Sequence, residues 1–160
     1  MTVSLADLEQ LANDTLQPAR FSDYCPNGLQ VEGRGQVSRL VSGVTACQAL
    51  LDEAVQRGAD AILVHHGYFW RDEEPVLRGM KRRRLATLLG NDISLLAYHL
   101  PLDAHPEFGN NATLARLLDI RVTGGLDPAD PAPVGNTGEL EEPTTAGELV
   151  QRVAAVSYTH

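Results

Sequence analysis

Positive charge is scarce in this chain. Thirteen Lys and Arg stand against 21 Asp and Glu, leaving a net charge of −8 over 160 residues and a pI near 5.0. That balance argues against a general polyanion binder, so nucleic acid is not expected as a partner. Long apolar runs are missing as well. No stretch approaches the roughly 20 apolar residues that a membrane helix needs, so no membrane role is expected. Met1 to Asp14 mixes acids among its leucines with no basic segment ahead of them, unlike a secretory signal. A cytoplasmic location is the resulting expectation. Cysteine is limited to Cys25 and Cys47, far apart and without CxxC spacing. This predicts two reduced thiols rather than a disulfide scaffold or a zinc ribbon. No GxxxxGK[ST] phosphate loop occurs.

What is present reads as a globular chain able to bury a core, with 43% hydrophobic and 21% charged residues. Ser4 and Asp7 open a first helix carrying Leu5, Leu8, Leu11 and Leu16, and Pro18 marks its end. Residues 21–33 read as a loop around Pro26 and Asn27-Gly28. A strand is expected over 37–44, a helix over 46–57 closed by Gly58, and a buried strand over 59–64. A helix over about 77–89, a second buried strand over 93–98 and a short helix over 112–118 follow. Strands alternating with helices at these lengths predict an α/β fold: a layered sheet, mostly parallel or mixed, with helices packed on its faces.

After Gly124-Gly125 the composition shifts to Pro, Gly and acids. This suggests an α/β metal-site domain over 1–125, then a loop with at most one short strand and the start of a second part over 126–160. Thr145 to Glu148 has the form of a capping box opening a last helix. The apolar face of that helix, Leu149, Val150 and Val153, meets no following element. The expectation is a C-terminally truncated chain whose last residues, Val156 to His160, are foreign to the natural protein. Lys81 to Arg84 reads as a solvated helix surface, or alternatively as a phosphate or subunit contact.

Four of the five histidines lie in or just after two strand-end motifs: His65-His66-Gly67, and His99 with His105 in the segment that runs through Asp103. In α/β sheets ligands collect beyond the carboxyl ends of the strands. Adjacent histidines inside a strand point to opposite faces. At a strand's end both can turn toward one mouth, and Gly67 permits such a turn. Two buried imidazoles bring four ring nitrogens that need partners, and a metal would satisfy one on each. Asp103 adds a carboxylate. Imidazole and carboxylate without thiolate fit Zn, Mn, Fe, Co or Ni, as one ion or as a dinuclear centre. Tyr68, Phe69 and Trp70 either pack their loop against the sheet or line the site and stack on a base. The segment Asp23 to Gly28 is either an ordered turn or a rim of the pocket.

The blocks Asp23-Tyr24-Cys25-Pro26-Asn27-Gly28-Leu29-Gln30-Val31-Glu32-Gly33, Val64-His65-His66-Gly67-Tyr68-Phe69-Trp70 and Tyr98-His99-Leu100-Pro101-Leu102-Asp103-Ala104-His105-Pro106 resemble one family. It is that of the Nif-three-like dinuclear metal centre hexameric proteins, also known as GTP cyclohydrolase 1 type 2 homologues. Gly109-Asn110-Asn111 and Gly138-Glu139-Leu140 resemble its later blocks. The resemblance implies an α/β subunit of a toroidal homo-hexamer with two divalent metal ions per subunit. It implies His65, His66 and Asp103 as metal ligands and places His99 at the same site, as a supporting residue or proton carrier. His105, beside Pro106, is expected in a loop role. Family members bring a further histidine and a glutamate from a later segment that this chain lacks, and His160 does not stand in for them. The implied function is a metal-dependent hydrolase acting on a nucleotide-like substrate, with His99 catalytic. The alternative is a non-enzymatic metal-binding ring.

Overall fold

The structure, a computed structural model, describes residues 2–156. The expectation for the last residues, 157–160 with His160 among them, therefore lies outside the described residues. The chain forms two compact units that meet in sequence between His99 and Leu100.

The first unit contains β1 (Val3–Ser4), α1 (Leu5–Leu16), β2 (Gly28–Val31), β3 (Gln36–Val37), β4 (Leu40–Thr45), α2 (Gln48–Gln56), β5 (Ala61–His66), α3 (Gly79–Gly90) and β6 (Ser94–Ala97). Ser4 caps α1 as expected, its hydroxyl accepting from the Asp7 N–H at 3.0 Å. β2, β6, β5 and β4 form one sheet in that order. β4, β5 and β6 are parallel, and β2 closes the edge antiparallel to β6. The mixed α/β sheet expected from the strand–helix alternation is what forms.

Alternation along the strands sorts the two faces. Ile62 and Val64 of β5 and Leu95 and Ala97 of β6 join Leu51 and Ala54 of α2 and Leu85 and Leu88 of α3 in the core. Fully burying one such leucine contributes about 1.5–3 kcal/mol. On the other face, the Tyr98 hydroxyl donates to Asn13 of α1 at 2.8 Å, and the Leu29 N–H donates to Glu9 of α1 at 3.1 Å.

Three expectations need correction. Residues 28–31, read as loop, form the edge strand β2; four residues are too few for alternation to show, and the pairing with β6 creates the strand. The single strand expected over 37–44 is two, because Ser38 and Arg39 turn their N–H groups onto the buried Asp60 carboxylate, at 2.8 and 2.9 Å. Gly67 has no left-handed backbone. Its role is space: an added Cβ would lie 2.7 Å from the Ala97 Cβ and overlap Gln30.

The second unit contains α4 (Leu100–Ala104), α5 (Asn110–Leu117), β7 (Ile120–Gly125), β8 (Asn136–Leu140) and α6 (Ala146–Val156). β7 and β8 form an antiparallel hairpin, and the compositional change after Gly125 falls in its connecting loop. α4 and β7 escaped the sequence reading. The capping box is present: the Thr145 N–H donates to Glu148 Oε2 at 2.8 Å, and the Glu148 N–H donates to Thr145 Oγ1 at 3.3 Å.

Candidate metal centre

β5 and β6 end side by side and deliver three imidazoles to one place. His65 and His66 are the last two residues of β5, and His99 follows β6 by two residues. Ring centroids stand 4.3 Å apart for His65 and His66, 5.0 Å for His65 and His99, and 5.6 Å for His66 and His99. One ligand nitrogen from each lies within 4.8 Å of the other two.

Each ring is oriented through Nδ1 by a different neighbour. His65 Nδ1 meets the Tyr98 carbonyl at 3.1 Å, and His66 Nδ1 meets Thr45 Oγ1, on the other flanking strand, at 3.3 Å. His99 Nδ1 meets Asp23 Oδ1 at 2.8 Å. A carbonyl or carboxylate only accepts, so His65 and His99 carry a proton on Nδ1. A hydroxyl does both, so Thr45 leaves the His66 tautomer open. A ring nitrogen held by oxygen while the other faces a metal is the usual arrangement of ligating histidines. The donor set therefore fits a borderline divalent ion.

Asp23, which the sequence placed only within a candidate pocket rim, is the carboxylate that backs His99. Its side chain is only 3% exposed. It also accepts from the Tyr24 N–H at 2.6 Å and from Asn27 Nδ2 at 2.9 Å. Asn27 Oδ1 accepts from the His99 N–H at 2.7 Å, so the loop grips His99 at ring and backbone. The available signal was an aspartate in a Pro and Asn-Gly loop, but its partner lies 76 residues away. Trp70 stands edge-on to His99, with centroids 5.0 Å apart.

Asp23 and His99 also form a ligand-sized group with Cys25. Burial, with the Asp23 charge adding to it, pushes the Cys25 thiol up to about 11. Only a thiolate binds metal well, so the imidazole group is the better site. Asp103 lies on α4 in the second unit, where its carboxylate accepts from Asn110 Nδ2 at 2.9 Å. His105 caps a loop: its Nδ1 accepts from the Glu107 and Phe108 N–H groups at 3.1 and 2.9 Å. Of the basic run, Lys81 pairs with Glu73 at 3.1 Å, while Arg82 and Arg83 are exposed.

A mixed α/β sheet with an imidazole cluster beyond the ends of its parallel strands defines an α/β protein with a candidate metal centre. The family follows from comparison with known proteins. The chain belongs to the Duf34/NIF3 (NGG1p interacting factor 3) family, which it matches over residues 3–160. The family resemblance read from the sequence blocks is thus borne out. A protein from Pseudomonas aeruginosa called GTP cyclohydrolase 1 type 2 homolog is 58% identical over 153 residues, which are 96% of this chain and 61% of that protein. Among solved structures, protein ybgI, of unknown function, superposes with a TM-score of 0.89 at 57% identity, over 96% of this chain and 60% of that one. TTHA1606 from Thermus thermophilus gives 0.84 at 34% identity, over 96% of this chain and 61% of that one. The chain thus spans about three-fifths of the length of these relatives. Among the described residues no helix is long and apolar enough to cross a membrane.

Proposed function

We propose that the chain carries the divalent-metal site, two ions per subunit, of a metal-dependent hydrolase acting on a nucleotide-like substrate. The observation that supports it is the convergence of three imidazoles within 4.8 Å, each oriented through Nδ1. The name of the Pseudomonas relative points to the same class of chemistry. His65 and His66 would hold the ions through Nε2, with Asp103 as the oxygen ligand assigned from the sequence. Divalent ions would supply Lewis acidity and a more acidic water. His99 would carry the proton, since imidazole is the side chain best matched to neutral pH, and Asp23 would keep its Nε2 available by holding the Nδ1 proton. The assembly proposed is a homo-hexamer.

One observation favours a second reading. His99 lies within the same ligand radius as His65 and His66. As a third ligand it would not be the proton carrier, and the reading that needs no proton carrier is a non-enzymatic metal-binding ring.

Elemental mass spectrometry with nucleotide-hydrolysis assays tests both. The expected metal-to-protein ratio is about two, the dinuclear case, falling to less than half in His65→Ala or His66→Ala. His99→Ala is expected to keep its metal while turnover falls about 100-fold or more. Loss of metal in His99→Ala would make His99 a ligand rather than the proton carrier, and no hydrolysis by the metal-loaded parent would favour the non-enzymatic reading. A wild-type ratio near zero would sink the metal site itself.

A further inference from the structure

Asp23, Cys25 and His99 bring a carboxylate oxygen, a thiol sulfur and a ring nitrogen within 4.8 Å of one another, a group that shares only His99 with the three imidazoles.

The loop ahead of β2 builds this group by turning alternate residues inward. The Asp23 side chain is 3% exposed and Cys25 8%, while Tyr24 between them is 57% exposed. Asn27 ties the loop to the strand end, donating to Asp23 at 2.9 Å and accepting from the His99 N–H at 2.7 Å.

A buried cysteine usually packs as a small apolar side chain. Cys25 instead lies beside a buried carboxylate, and burial followed by the Asp23 charge keeps its thiol protonated. It forms no disulfide, and the thiol has no hydrogen-bond partner among the described residues. An ion that displaces the thiol proton turns this repulsion into coordination, because a metal-bound thiol is deprotonated outright.

The donors select the ion. For a borderline ion the imidazole group remains the better site, since it gives up no thiol proton. A soft ion reverses the preference, because thiolate is the ligand it binds best. Ligands about 2.0–2.3 Å from one tetrahedral ion stand roughly 3.3–3.8 Å apart. The Asp23 to His99 contact, 2.8 Å in the structure, reaches that spacing by opening about 0.5 Å.

We propose that Asp23, Cys25 and His99 form a second metal site, for a soft, thiophilic divalent cation of the cadmium type. The ion takes the place of the proton on His99 Nδ1, so it and the Asp23–His99 hydrogen bond exclude one another. The ring proton moves to Nε2 by exchange with water, and the thiol proton leaves to solvent, a net release of one proton per ion. The site does not rest on the hydrolase reading and needs neither His65 nor His66.

The test is a titration of the full chain, stripped of metal, with cadmium chloride in a phosphine reductant. The readout is the ultraviolet charge-transfer band of a cadmium thiolate. Imidazole and carboxylate give no such band, so cadmium at His65 and His66 is silent. The band is expected to saturate at about one ion per chain, with about one proton released. Cys25→Ser should abolish it, whereas Cys47→Ser and the double variant His65→Ala with His66→Ala should keep it. His99→Ala retains the thiol and should weaken cadmium at least about tenfold, which decides the matter even if Cys25→Ser fails to fold. No band, a band that survives Cys25→Ser, or one lost in Cys47→Ser or in the double histidine variant would overturn the site. So would parent-like affinity in His99→Ala.

Discussion

At the residue scale two buried carboxylates organise the first unit. Asp23 receives three N–H donors, from Tyr24, Asn27 and His99. An asparagine there would have to turn its own NH2 toward one of those donors. Asp23→Asn is therefore expected to cost about 1–3 kcal/mol of unfolding free energy in urea. An unchanged midpoint would mean that the loop readily rearranges. Asp60 accepts from Ser38 twice, from Arg39 and from Arg34. The Ser38 N–H, followed by the Arg39 N–H, the Ser38 hydroxyl and the Arg34 charge, outweighs burial and holds its pKa at about 2, below the ordinary 3.8. The folded value is the lower one, so this contribution is present above pH ~4 and lost as pH falls toward ~2. Melting temperature followed between those limits should drop in the parent more steeply than in Asp60→Asn. Parallel curves would remove Asp60 from the acid limb.

At the scale of elements, local chemistry and close approach do different work. α6 starts where Thr145 and Glu148 exchange hydrogen bonds, and Thr145→Ala should cost that helix about 1 kcal/mol, read as lost amide protection in its first turn. The turn after β2 is set by contact instead. A Cβ on Gly33 would lie 2.5 Å from the Asp92 carbonyl oxygen, and backbone cannot give way as a flexible side chain can. Gly33→Ala should cost about 1–3 kcal/mol in chemical denaturation. A neutral result would show that the 33–34 and 91–92 backbones part easily. The helix caps and the buried parallel strands β5 and β6 were legible because capping residues and apolar runs act within a few positions. β2 and α4 were not: the first exists by pairing with β6, and the second hides in a proline-bearing motif that reads as loop.

At the scale of the molecule, apolar side chains remain at the surface of the second unit, Leu117 and Val150 being 57% and 67% exposed. Exposed apolar surface favours association, in line with the proposed homo-hexamer. Light scattering is expected to return about six times the 17.3 kDa of one chain, as a single species. A monomer at all concentrations would count against the ring.

Sequence alone determined the α/β alternation, the family, and the pair His65-His66 at a strand end, because each rests on neighbours in the chain. It set His99 at a second strand end by pattern, and the family resemblance assigned it to the same site. The tertiary structure decided that His65 leans on the strand to one side and His66 on the strand to the other, so that adjacent rings on a pleated strand still meet. It also decided that Asp23 backs His99 across 76 residues, and that Gly67 serves by lacking a Cβ. The physical reason is range. Periodicity and capping act over a few residues, whereas these contacts exist only once the sheet order has brought distant backbone together.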